Sequence, residues 1–166
     1  MSKLAVPVTS KDHIEGPATA PVTLVEYGDY QCPSCGEAFP IIKKLQQHFG
    51  DNLRFVFRNF PLPMHPYAEH AASQNKFWEM HDLLFRHQRD LSDKSLLRLA
   101  RELDLSTTEL TEALDAGTFK SRVQADMESG EASGVTGTPM FYINDRIYED
   151  DYDFDSLVAA LQSKSK

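Results

Sequence analysis

Residues 22–27, VTLVEY, form a β-branched, apolar run that only Glu26 breaks, the pattern of a strand buried on both faces. In CGEAFPIIKKLQQHFG the apolar residues fall at 38, 39, 41, 42, 45 and 49. That is helical spacing, with Gly50 as a C-terminal cap and Pro40 expected to kink or divide the helix. LRFVFRNF, residues 53–60, reads as a second buried strand. Residues 22–60 are therefore a βαβ unit, which predicts that its two strands run parallel.

The middle of the chain changes period. YAEHAASQ is short and carries alanine. NKFWEMHDLLFRHQ has an apolar helical face at 77, 78, 80, 84 and 85 that includes His81. SDKSLLRLARELDL follows with Ser92 as N-cap, and Ser106 with Glu109 forms a capping box that opens a helix ending at Gly117. TFKSRVQADMESGEASG predicts one more helix. Extended structure returns at MFYI, 140–143, with a turn at Asn144–Asp145, a short partner strand RIY, and a last helix capped by Asp153. The order is βαβ, a block of helices, then ββα, an α/β class.

Length and composition narrow the field. A chain of 166 residues fits one domain, 1–166, with a full core. Its apolar fraction of 41% and charged fraction of 25% are ordinary for a globular protein. A net charge of −8 without a Lys/Arg run argues against nucleic acid and against anionic membrane surfaces as partners. No segment has the roughly 18 apolar residues of a membrane span, and the N-terminus lacks a signal-peptide pattern. A cytoplasmic location is the expectation.

Both cysteines of the chain, Cys32 and Cys35, stand in CPSC between the first strand and the first helix. Pro33 suits the first helical turn, where a missing N–H costs nothing. Cys32 then lies beside unpaired N–H groups and the positive end of the helix dipole, which lower a thiol pKa. Cys35, one turn in, can face the same side, close enough for a disulfide. The arrangement makes Cys32 an exposed nucleophile and Cys35 a sheltered resolving thiol. A zinc site would need further cysteines or paired histidines at ligand spacing. Two inert core thiols would leave the spacing without a reason.

With VEYGDYQCPSC, RFVFRNFPL, KFWEMHDLLF and GVTGTPMFYIN in view, the chain resembles the DsbA-like branch of the thioredoxin superfamily over nearly its whole length. The resemblance implies a thioredoxin fold with a helical subdomain inserted at about 62–117. It implies thiol–disulfide exchange with protein or peptide substrates, Cys32 attacking and Cys35 resolving, and a cellular redox partner of the glutathione or thioredoxin type. No organic cofactor or metal is called for. It also implies a cis bond at Thr138–Pro139, facing the dithiol and receiving a substrate strand. The residues alone leave cis and trans both open, since a trans proline can begin a strand. Related sequences have a longer helix between HPYAEHAA and KFWEMHD, so the support of the active-site face is expected to differ here.

Glu26 stands where this superfamily commonly keeps a buried acid, which would exchange a proton with Cys35. Arg58, on the neighbouring strand, is expected to face Glu26 and keep it ionised. The alternative is that Glu26 lies at an exposed strand end. Pro33, Ser34 and Thr138 are the residues expected to tune the reduction potential. Trp78 and Phe77 are read as packing residues, His81 and Asp82 as helix surface, His65 as a helix-start residue, and EDDYDFD, 149–155, as a solvated turn and cap. Two other functions compete: a redox-sensitive peptide-binding or chaperone-like module without turnover, and a glutathione-dependent transferase, in which the second thiol would be surplus.

Overall fold

The computed structural model describes residues 2–61 and 67–165. In chain order its elements are β1 (His13–Glu15), β2 (Val22–Gly28), α1 (Pro33–Phe49), a 3-10 turn (Gly50–Asn52), β3 (Leu53–Asn59), α2 (Tyr67–Ala72), α3 (Phe77–Arg86), α4 (Asp93–Glu102), α5 (Thr107–Ala116), α6 (Lys120–Ser133), β4 (Met140–Ile143), β5 (Arg146–Tyr148) and α7 (Phe154–Lys164). The five strands make one mixed sheet in the order β1-β3-β2-β4-β5. β2 and β3 are parallel, as a βαβ unit requires, and the other pairings are antiparallel. His65 lies outside the described residues.

The central strand β2 is buried at every position, and its alternation sorts residues onto two layers. Val22 and Leu24 join Phe55, Phe57, Cys35, Ala38, Ile42 and Leu45 in the larger core, to which α7 adds Leu157 and Leu161. The apolar sides of α2, α3, α4 and α5 extend the same core through Ala71, Met80, Leu99 and Leu110. Val25 and Tyr27 point the other way, with Val56, Val135 and Tyr142. There α6 closes the second face, with Tyr27 Oη and Tyr142 Oη bonded to its Ser129 Oγ and Ser133 carbonyl.

The helix ends follow local chemistry. Ser92, Ser106 and Asp153 each accept from the N–H three residues on, while Gly117 and Gly134 end α5 and α6 in the left-handed region. Pro40 does not divide α1, which runs unbroken from Pro33 to Phe49. One proline removes one intrahelical bond, and the apolar side of α1 packed on the sheet holds the rest.

Three further points depart from the sequence reading. The strand β1 was not expected from the sequence: its three residues gain regularity only by pairing with the edge of β3. His81 is not on the helix surface but 2% exposed. Its ring lies among Tyr30, Phe57, Trp78 and Phe85, at centroid distances of 5.5, 4.6, 5.1 and 5.0 Å. Burial holds His81 well below the usual histidine range, with Lys43 and His13 acting the same way, so the ring is neutral.

The third correction is Arg58, which does not face Glu26. In the parallel register Glu26 pairs with Phe57, and Arg58 pairs with Tyr27, so the two charges project from opposite faces of the sheet. Arg58 is almost fully buried among other partners. It donates to Asp12 at 2.8 and 3.2 Å, to Tyr27 Oη at 2.8 Å, and to the carbonyls of Val6 and Pro7 at 2.9 and 3.2 Å. It pins the N-terminal segment to the sheet. Arg58→Met is expected to leave Asp12 buried without its counter-charge and to cost about 3–5 kcal/mol in urea unfolding. The alkylation profile of Cys32, on the other side of the sheet, should not change.

Candidate active site

Cys32 is the N-cap of α1, and Pro33 follows at the first helical position. An Asx turn prepares the entry: Asp29 Oδ1 accepts from the Gln31 N–H at 2.9 Å, and the Asp29 carbonyl accepts from the Cys32 N–H at 3.1 Å. The Cys32 carbonyl then accepts the first helical bond, from Gly36 N–H at 3.1 Å. This local geometry leaves Cys32 part-exposed and carries Cys35, one turn later, to full burial.

The two sulfurs sit in opposite electrostatic settings. Burial raises the Cys32 thiol. Hydrogen bonds from the Thr138 side chain, from the Cys35 N–H and thiol, and from the Ser34 N–H outweigh it, so the net shift is downward. None of the helical N–H groups reaches full capping geometry, so they act as oriented dipoles more than as a closed cap bond. The Cys32 thiol also lies 3.2 Å from the Thr138 carbonyl, a contact that favours the protonated form and opposes the donors. Cys35 is pushed strongly upward, first by burial and then by the charge of Glu26. Its sulfur accepts from the Asp29 N–H at 3.5 Å.

Glu26 lies in the sheet face beneath this pair. It is 3% exposed, and its Oε1 is buried without a hydrogen-bond partner among the described residues. Burial pushes its pKa to about 8, with the Cys32 thiolate adding to the shift. The acid is therefore mostly neutral at pH 7, not ionised as a facing Arg58 would have made it. Thr138 and Pro139 stand just ahead of β4, joined by a cis peptide bond, and Thr138 reaches Cys32 by carbonyl and side chain. The structure thus brings together Cys32, Cys35, Glu26, Pro33, Ser34, Thr138 and Pro139, and leaves Arg58 outside.

The thioredoxin family model matches residues 8–163. The chain belongs to the thioredoxin family. Among solved structures it is similar to oxidised BdbD from Bacillus subtilis, with 28% identity and a TM-score of 0.87 over 99% of this chain and 98% of that one. It is also similar to a thioredoxin-like oxidoreductase from Silicibacter pomeroyi, with 25% identity and a TM-score of 0.82 over 93% and 92% of the two chains. The thiol-disulfide exchange protein α-DsbA2 from Wolbachia pipientis shares the fold at 20% identity and a TM-score of 0.78 over 93% of this chain and 87% of that one. The thioredoxin-type fold is thus of the DsbA-like kind. Curated relatives are longer proteins named Na(+)/H(+) antiporter NhaA. Those of Salinispora arenicola and Salinispora tropica are 43% and 42% identical over 96% of this chain, which spans 26% of their length.

Two contributors to this thioredoxin-family site escape a reading of the sequence. Tyr30 is buried two residues before Cys32, with its Oη 3.0 Å from His81 Nδ1. Gln88, just beyond α3, donates to backbone carbonyls of the redox loop. Tyr30 could have been suspected from its place beside the CPSC motif. Gln88 carries no sequence signal, being a polar residue in a polar turn.

The pH dependence of stability tests Glu26. Its folded pKa of about 8 lies above the ordinary value of 4.5. Between those limits the folded state holds the proton more tightly than the unfolded state, so this group's contribution to stability falls as pH rises. The slope is at most about 1.4 kcal/mol per pH unit for one proton. Glu26→Gln should remove that slope, so that variant and native protein diverge steadily from pH 5 to 8 in chemical unfolding, with the variant gaining. Parallel curves would show that Glu26 ionises as freely in the folded protein as in the unfolded chain.

Proposed function

We propose that this chain is a thiol–disulfide oxidoreductase that exchanges disulfides with protein or peptide substrates through Cys32 and Cys35. The observation that carries the reading is the division between the sulfurs: one part-exposed with a lowered pKa at a helix N-terminus, the other buried with a raised pKa above an acid. Thiolate attack needs the first, and an orderly second step needs the second.

The reaction balances on sulfur alone. The Cys32 thiolate attacks one sulfur of a substrate disulfide, forming a mixed disulfide and expelling the other substrate sulfur as a thiolate, which takes a proton from solvent. Cys35 then attacks the Cys32 sulfur as its proton passes to Glu26 in its ionised form, which is easier to reach once the mixed disulfide has removed the Cys32 charge that holds the acid protonated. The Cys32–Cys35 disulfide forms and the remaining substrate thiolate leaves. The substrate gains two electrons and the dithiol loses two. The same steps in reverse oxidise a substrate dithiol. No organic cofactor or metal enters.

The Thr138–Pro139 segment is the proposed docking edge for the substrate. It precedes the β4 ladder and touches Cys32, so an extended substrate strand laid there would bring its cysteine to the exposed sulfur. Pro33, Ser34 and Thr138 are the proposed tuning positions. A glutathione or thioredoxin-type couple is the proposed redox partner, in a cytoplasmic setting. The direction of flow follows from the reduction potential against that couple, where about 30 mV changes the equilibrium tenfold. Antiport is not carried over to this chain: that name belongs to proteins of which the match spans 26%. Among the described residues no helix is long and apolar enough to cross a membrane.

Turnover of a peptide disulfide with a dithiol reductant is the decisive assay. Native protein should cycle many times. Cys32→Ser should fall to the uncatalysed rate, and Cys35→Ser should accumulate mixed disulfides with substrate proteins. Stoichiometric oxidation without cycling would mark a redox-sensitive binding module. Trapping by Cys32→Ser but not by Cys35→Ser would reverse the roles of the two thiols.

A further inference from the structure

The turn between α3 and α4 reaches across to the redox loop with one side chain. Gln88 Nε2 donates to the Tyr30 carbonyl at 2.9 Å and to the Cys32 carbonyl at 2.6 Å. Only the NH2 end of an amide can serve two carbonyls, so the orientation of the group is determined. The turn itself is held by backbone bonds from Gln88 N–H to the Phe85 carbonyl and from Asp90 N–H to the His87 carbonyl. α3, which leads into it, is anchored by buried Met80, His81, Leu84 and Phe85. The donor therefore projects from a fixed base.

The receiving side is shaped to admit it. Gly36 lies in the first turns of α1, at a position where its backbone is ordinary helix. A Cβ there would overlap the Gln88 side-chain carbonyl. Glycine inside a helix costs about 1 kcal/mol relative to alanine. Helical geometry does not ask for glycine at this position, but the approach of Gln88 does.

We propose that Gln88 is a positioning residue for the redox loop: its amide ties the carbonyls on both sides of Gln31 to the helical layer, and Gly36 keeps open the space through which it does so. The Cys32 carbonyl already accepts the first helical bond of α1. A second donor on the same oxygen fixes the peptide plane after Cys32, and with it the direction of the N–H groups that face Sγ. Released from Gln88, the loop can turn those groups away, and the thiolate loses their support. The inference rests on the dithiol reading given above and adds to it a residue from outside the loop.

The test uses the alkylation rate of Cys32 as a function of pH in Gln88→Ala, Gln88→Glu and Gly36→Ala, with thermal unfolding and the glutathione equilibrium measured alongside. The other titratable groups acting on this sulfur, Cys35 and Glu26, stay unchanged. Gln88→Glu keeps the shape and removes both donors but adds a charge that itself opposes the thiolate, so Gln88→Ala is the variant that decides. Each variant should move the Cys32 profile to higher pH, slowing alkylation about threefold or more at pH 6, where rate follows thiolate fraction. The dithiol should become less oxidising in the same variants. In the Gln88→Ala background, where the space is empty, Gly36→Ala should add nothing to the shift. An unchanged Cys32 profile in Gln88→Ala, with or without a loss of thermal stability, would overturn the proposal. So would additive shifts from Gly36→Ala and Gln88→Ala. A native Cys32 that titrates like a free thiol would instead remove the dithiol reading, and this inference with it.

Discussion

A sulfur at the N-cap of α1 faces the N–H groups of Ser34 and Cys35, which have no carbonyl ahead of them to accept their bonds. This constraint separates the two thiols. Cys32 stands outside the first turn, where the dipoles converge and solvent reaches. Cys35 stands one turn inside, where the helix meets the sheet and burial dominates. Two identical side chains three positions apart thus acquire opposite shifts. The packing of Ala38, Ile42 and Leu45 against β2 and β3 makes the placement firm, since rotating the helix would lift those residues from the core.

The sheet carries two buried ionisable groups and treats them differently. Arg58 cannot shed its proton within the range of folding conditions, so burial obliges the fold to surround it with acceptors from Asp12, Tyr27, Val6 and Pro7. Glu26 can become neutral, and one of its oxygens has no partner among the described residues. An acid with a counter-charge would be a poor proton acceptor for a thiol whose own pKa is high. An acid without one has a proton affinity raised towards that of the thiol, and the transfer between them becomes less uphill.

Much of this was legible in the sequence because it depends on local pattern. The burial of β2 and β3, the helical period after CPSC, the caps at Ser92, Ser106 and Asp153, and the entry of Pro33 into the first turn are all decided within a few residues. What failed depends on register or on distant chain. Arg58 and Glu26 lie on adjacent strands, but facing is a matter of parity. The pairing of Glu26 with Phe57 turns Arg58 to the other side. His81 looked like a polar residue on a helix, yet its cage comes from β3, α3 and the loop before α1. Gln88 acquires its partners 56 and 58 residues away. Spacing cannot reveal a hydrogen bond that only the tertiary fold creates.

The same layout bears on the oxidising strength of the site. A dithiol is oxidising to the extent that its reduced form is stabilised, and on the proposed function a supported Cys32 thiolate would contribute to that stabilisation. Glu26 works in the opposite direction once it ionises, because its charge acts on both sulfurs. While Glu26 is neutral, the thiolate is opposed by burial and by the Thr138 carbonyl. As pH climbs towards 8 the acid ionises, the thiolate loses ground, and the reduced form becomes less favoured than the simple loss of thiol protons would make it. On the proposed mechanism the buried acid would do two things at one location: accept, once ionised, the proton that the second step releases, and limit how far the first thiolate can be stabilised. A basic residue in place of Phe57 would relieve the limit and spoil the acceptor. An apolar partner strand is accordingly part of the chemistry of the site.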